Sequence, residues 1–211
     1  MKTRTAVLSV VGALLVGTSY VQAATIVASP SGLSAPDQTI TFDEHVLPMN
    51  TVVTNQYADL GVTFSPNLYY SPQTGFPNIN GNDLGNFTFD GNGPIEPFLI
   101  SFNTPVTAAA FAFVGDDTTY LFESLLGGAP VESFSANIRS DSFNDFFGFE
   151  NSTFDAIRVT RLDAGGGPFN LLDNLQTGSV IPEPTSLLLL GTGLLGARRW
   201  RKLVPRSKTS G

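Results

Sequence analysis

The side chains best placed to do chemistry are hard oxygen donors set beside glycines. Asn78, Asn80, Asn82 and Asp83 fall close together around Gly81, Asp90 and Asn92 follow shortly after, and Asp116-Asp117 forms a second group. Calcium takes six to eight such oxygens, so these stretches are candidate ligand sets, although none has the order or terminal glutamate of an EF-hand loop. The same composition also makes solvated turns, and that reading stays open for each group. Tyr69, Tyr70 and Phe76, next to Asn78 and Asn80, are the one loop-like set of aromatics that could stack on a sugar ring. In a strand, Tyr69 and Tyr70 point to opposite faces, so at most one of them serves such a contact, and packing is the alternative role for all three.

Catalytic groups are scarce. His45 is the single histidine and there is no cysteine, which excludes a histidine-cluster metal centre and a thiol nucleophile. No Gly-x-Ser-x-Gly elbow is present to serve a serine triad. A glycosidase needs two carboxylates at a set separation, and the spacing of the acids along the chain singles out no pair. The threonines show no repeat of the kind a flat ice-binding array demands.

Charge geography narrows the partners. Of 211 residues only 14% are charged, and eight of the 11 basic residues lie near the two ends. Residues 24–181 hold 17 acids against Arg139, Arg158 and Arg161, a formal charge of −14. So acidic a body is repelled by phosphate backbones and is no nucleic-acid binder. Its ligands are neutral, cationic or bridged by a cation.

The body reads as all-β. Phe98, Ile100 and Phe102 alternate with polar or smaller residues, as do Phe111 and Phe113, and Ile157 and Val159. Further strands are expected at 39–42, 62–64, 87–89, 119–125, 134–138, 146–149 and 171–175. Turn chemistry separates them at Asp90 to Pro94, Asn103-Thr104-Pro105, Gly115-Asp116-Asp117, Gly127 to Pro130 and Gly165 to Pro168. Many short strands with Gly/Pro turns specify a single antiparallel β-sandwich. All 17 Phe fall inside it and supply its core, which makes disulfides unnecessary at this size.

The ends are addresses. Lys2 and Arg4, an apolar run from Ala6 to Gly17, and Val21-Gln22-Ala23 make residues 1–23 a secretory signal helix for signal peptidase, with an N-terminal membrane anchor as the alternative. Residues 178–184 form a Gly/Pro linker ending in Pro182-Glu183-Pro184. Residues 185–202 carry an apolar run, Leu187 to Ala197, and a basic cluster, Arg198, Arg199, Arg201 and Lys202, around Trp200. That run forms a short hydrophobic helix of eleven residues, ~17 Å long against a hydrocarbon core of ~30 Å, hence a marginal membrane span with its basic end in the cytoplasm. Residues 203–211 extend beyond it. The alternative is an ordinary anchor that is never cut.

The order of these parts, from Val180 to Lys202, resembles the PEP-CTERM sorting signal of exopolysaccharide-producing Gram-negative bacteria. The resemblance implies an exported protein, held briefly in the inner membrane by its tail, processed at or near Pro182-Glu183-Pro184 by an exosortase-type transpeptidase, and passed to the cell surface or the extracellular space. Signals of this family end at the basic cluster, whereas this chain continues to Gly211. The same tail is found on proteins classed as ice-binding, so it does not specify an activity.

Within the body, residues 24–177, Phe42-Asp43-Glu44 followed by Val53 to Phe64 looks like the opening of galactose-binding-like jelly rolls. Phe154 to Ile157 with Leu171 to Leu175 is similar to their final strands. In such domains the first and last strands lie side by side and their acids hold a structural calcium; the matching residues here are Asp43 or Glu44 with Asp173. The expectation is therefore an exported, non-enzymatic, jelly-roll-like sandwich associated with extracellular polysaccharide. A carbohydrate-binding module contacting glycan through Tyr69, Tyr70 and Phe76, or a weak glycan-active hydrolase, is the alternative.

Overall fold

A computed structural model describes residues 25–87, 97–162 and 169–179. The signal segment, the sorting tail, Asp90, Asn92, the end of the strand expected at 87–89 and the turns expected at 90–94 and 165–168 lie outside them. The described residues form eleven strands: β1 (Thr25–Ser29), β2 (Gln38–Ile40), β3 (Val52–Val53), β4 (Val62–Phe64), β5 (Leu68–Ser71), β6 (Asp83–Gly85), β7 (Phe98–Gly115), β8 (Thr118–Leu126), β9 (Ala129–Ile138), β10 (Phe146–Arg161) and β11 (Asn170–Gly178). A 3-10 turn, Ala58–Leu60, precedes β4. Every pairing is antiparallel. Among the described residues no helix is long and apolar enough to cross a membrane.

Two long strands close the sandwich. The first half of β10 lies between β1 and the second half of β7; its second half, after register shifts between Glu150 and Ala156, lies between the first half of β7 and β8. Each long strand therefore runs through both layers and bends where the register slips. One layer continues from β7 through β11 to β6, β5 and β3, with β2 also on β11; the other carries β4 on β7 and ends β8–β9. The turn expected at Asn103-Thr104-Pro105 is instead continuous strand. Pro105 is tolerated because it falls in the register shift, where no ladder N–H is required of it. The two strands expected around 98–102 and 111–113 are thus one, as are those at 146–149 and 157–159.

Alternation along β7 divides its side chains between two apolar layers. Phe111 and Phe113 enter the sandwich interior with Phe98, Phe122, Phe149, Phe154 and Leu172. Ala108, Ala110, Ala112 and Val114 face outward, where Leu33, Ile79, Phe87, Phe146 and Leu171 cover them. Phe113 sits amid Phe98, Phe111, Tyr120 and Phe122, with ring centroids 5.9, 6.0, 5.1 and 6.0 Å away. Truncating it leaves a hole that rigid neighbours cannot fill. Phe113→Ala is expected to cost about 3–5 kcal/mol of unfolding free energy, read by urea denaturation. A loss below about 1 kcal/mol would show that the interior collapses freely around the site.

Candidate functional site

On the outer face of the first layer, polar groups occupy positions that elsewhere are apolar. Tyr70, Leu84 and Leu172 are all in the interior cluster. Immediate neighbours along each strand point the other way, which sends Ser71, Asp83 and Asp173 outward. Ser71 pairs with Asp83, Leu84 with Leu172, and Asp173 with Ala112, so Ser71, Asp83, Asp173 and Ala112 make one row across β5, β6, β11 and β7. Ser71, Asp83 and Asp173 are nevertheless fully buried.

What buries them is the segment 72–82, which leaves β5, crosses the outer face and returns as β6. Four carboxylates hold this strap. Asp83 Oδ2 accepts from the Gln73 amide at 2.9 Å, Asp145 Oδ1 from Asn78 Nδ2 at 2.7 Å, and Asp173 Oδ2 from the Asn80 amide at 2.9 Å. Asp43 Oδ1 accepts from both the amide and the side chain of Asn82. Asn174 Nδ2 adds a bond to the Asn78 carbonyl at 2.7 Å. Ile79 and Phe76 seat the strap on the outward alanines of β7, whose small side chains leave room for it. Gly81 has φ +88°, and a Cβ there would meet the Asp43 carboxylate oxygens at 2.5 and 2.8 Å. Asp43 is aimed by its neighbour: Phe42, buried, takes φ +61°, a costly conformation for an aromatic residue, and its carbonyl accepts from the hydroxyls of Tyr57 and Tyr70 at 3.0 and 3.2 Å.

Burying acids in this way is expensive. Burial pushes the Asp83 carboxyl up to about 7, against the partial relief given by the Gln73 amide and the nearby Ser71 hydroxyl. Burial pushes Asp173 up to about 8; the Asn80 and Asn174 amides oppose this, while the charges of Asp83 and Asp43 add to it. Asp145 is also raised by burial. Asp83 Oδ1 and Asp145 Oδ2 are buried oxygens with no hydrogen-bond partner in place; the Ser71 hydroxyl lies near Asp83 but outside bonding geometry. The ion pairs among described residues, His45–Asp59, Arg139–Asp141 and Arg158–Glu123, neutralise none of these carboxylates. Two like charges side by side, one with an orphaned oxygen, fit a site that takes either a proton or a hard cation. No three acidic or histidine side chains among the described residues form a ready ligand cluster. A cation here would therefore use the Asp83–Asp173 pair and fill its shell with amide, carbonyl or water oxygens.

The candidates from sequence sort accordingly. Asp43 and Asp173 come near each other, whereas Glu44 turns away to accept from the Thr41 amide and hydroxyl at 2.9 and 3.2 Å. Asp83, which the sequence groups only with its local asparagines, joins Asp173 across strands. Asn78, Asn80 and Asn82 act as donors that tie the strap down. Tyr70 is 1% exposed and is corrected to a packing role; Tyr69 and Phe76 are half-buried, with Phe76 packed on Phe169 at 5.0 Å. Asp116 takes the Phe169 amide at 3.3 Å and Asp117 lies near Arg139, both in turn roles. His45 bonds Asp59 at 3.1 Å on the surface. Pro182, Glu183, Pro184, Arg198, Arg199, Arg201 and Lys202 lie outside the described residues.

Residues 180–202 match the PEP-CTERM protein-sorting motif. No curated protein sequence matches the chain. Among solved structures, the C-terminal domain of a chitobiase from Bacteroides fragilis aligns over 69% of this chain and 100% of its own, at 12% identity and a TM-score of 0.36.

Proposed function

We propose that this protein, exported and carrying an exosortase sorting signal, is a non-catalytic component of the cell surface or extracellular matrix, associated there with exopolysaccharide and stabilised by calcium at the Asp83–Asp173 pair. The sorting motif at 180–202 carries the destination. The partnerless Asp83 Oδ1 beside Asp173 supports the cation. A cation there neutralises two buried charges and locks the strap onto β6 and β11; it has no bound substrate to act on, because the strap covers both carboxyls. That burial is also why the pair does not favour the hydrolase reading: a glycosidic bond has to reach its two acids.

Protein recovered from the matrix fraction tests both halves. With millimolar calcium the strap is expected to resist limited proteolysis between 72 and 82, and chelator is expected to expose it; equal cleavage under both conditions would remove calcium from the account. Soluble exopolysaccharide from the same cells should retain the protein in a pull-down. Recovery of the intact chain in the cytosolic fraction alone would overturn the destination.

A further inference from the structure

We propose that Asn80 and Gly81 form a self-modification site: the Asn80 side chain closes on the Gly81 nitrogen, loses ammonia and leaves an aspartyl or isoaspartyl residue that unlatches the strap. The reaction needs a backbone nitrogen that can reach the carboxamide carbon of the residue before it, and glycine, without a Cβ, screens its own nitrogen least. Asn80-Gly81 is the one Asn-Gly pair among the described residues, and both residues are exposed. The Asn80 amide is held on Asp173 at 2.9 Å, but its carboxamide makes no hydrogen bond and the Gly81 N–H has no acceptor. The other two asparagines of the strap are protected. Asn78 and Asn82 both have their carboxamides tied to carboxylates, those of Asp145 and Asp43, and are followed by Ile79 and Asp83.

The bond from the Gly81 nitrogen to Asn80 Cγ forms as the carboxamide C–N bond breaks, and the Gly81 proton leaves with that nitrogen as ammonia. Water then opens the cyclic imide. Attack at Cγ restores the original main chain with an aspartyl side chain; attack at the main-chain carbonyl carbon leaves the chain running through Cβ and Cγ, an isoaspartyl link. One water enters, one ammonia leaves, and nothing is oxidised or reduced. The strap has no slack for the isoaspartyl form. The amides of residues 80 and 82 are fixed on Asp173 and Asp43, and Gly81 between them lies so close to Asp43 that a Cβ would meet its carboxylate oxygens. One extra main-chain carbon breaks that spacing. Either product also sets a new carboxylate beside Asp173, which already feels the charges of Asp83 and Asp43. Ile79 and Phe76 are then free to leave the outward alanines of β7. Losing one amide-to-carboxylate bond opens the strap about tenfold more often.

Peptide mass spectrometry of the purified protein, sampled as it ages in neutral buffer, reads the modification. The peptide spanning the strap should gain one mass unit at position 80 and resolve into two chromatographic isomers, with Asn78 and Asn82 unchanged. Asn80→Gln keeps the backbone donor but would have to close a larger ring, so its strap should keep its mass. A broad-specificity protease should cut the aged wild type between 72 and 82 about tenfold faster than fresh protein or aged Asn80→Gln, because cleavage follows the open population. A folded protein that keeps its mass at position 80 while a free peptide of residues 72–83 converts completely overturns the site, as does conversion of Asn78 or Asn82 as fast as Asn80. Conversion at position 80 without faster cleavage than in aged Asn80→Gln overturns the unlatching.

Discussion

In the presence of chelator, the folded protein is expected to lose stability steadily as pH rises from about 4 to about 8, and calcium is expected to restore most of the loss at the alkaline end. The sign follows from where the protons are. Asp83 and Asp173 have carboxyls raised to about 7 and about 8, so between the unfolded value and these values the native state binds more protons than the unfolded chain. Stability then falls with rising pH, is greatest below the ordinary aspartate range and loses the whole contribution once both groups ionise. A tenfold change in a carboxyl's proton affinity between the unfolded and folded chain is worth ~1.4 kcal/mol, but the two groups repel each other and titrate as a pair. A combined loss of about 4 kcal/mol is expected for the pair, measured as the change in urea midpoint between the two ends of the range. Asp83→Asn removes one buried charge and should flatten the curve in chelator by about half, while also cutting the calcium effect. A chelated wild type whose midpoint rises with pH over this interval would mean that the pair is ionised and satisfied by some group other than a cation.

Asp83 and Asp173 each stand out in the sequence as candidate oxygen donors, but in separate groups, and nothing local pairs them. Asp173 and Asp43 were visible through the likeness of their flanking strands to jelly-roll openings and endings, and Asp83 through its asparagine-rich surroundings. What joined Asp83 to Asp173 was the β6–β11 register, in which Leu84 meets Leu172 from a distant part of the chain that local pattern does not encode. β6 itself is a three-residue strand, all buried, with no alternation for a periodicity argument to find. Long strands were legible because Phe alternates along them; their continuity was not, because Pro105 reads as a turn unless one knows that the ladder slips there. The aromatic set loses Tyr70 for a related reason. Tyr70 and Phe76 look loop-like among Pro, Gly and Asn, but Tyr70 turns into the sandwich and the strap carries Phe76 back over the sheet, where it is half-buried, so Tyr70 is lost to a stacking surface and Phe76 offers only part of its ring.

The second large effect is expected from one methyl group. Gly148→Ala should destabilise the protein by about 3 kcal/mol or more, or prevent its folding, because a Cβ at that position would lie 2.0 Å from the Ala109 carbonyl oxygen and 2.5 Å from the Ala110 Cα. Both are backbone atoms of the central strand β7, and neither can swing aside as a flexible side chain would. Nor can β10 retreat, since Gly148 pairs with Ala110 on one side and with Val27 of β1 on the other. Relief requires the two long strands to part at the point where they hold the outer layer together. Asp145 immediately precedes β10, with its carbonyl on the Phe113 amide at 2.8 Å and its carboxyl on Asn78, so the displacement would also reach the strap. Gly127 supplies the contrast: its φ is +58° and an added Cβ meets nothing within 4 Å, so Gly127→Ala should cost only about 1 kcal/mol of backbone strain. Denaturation of the two variants side by side separates steric contact from conformation. If Gly148→Ala fell within about 1 kcal/mol of Gly127→Ala, the close approach of β10 to β7 could not be what requires glycine there.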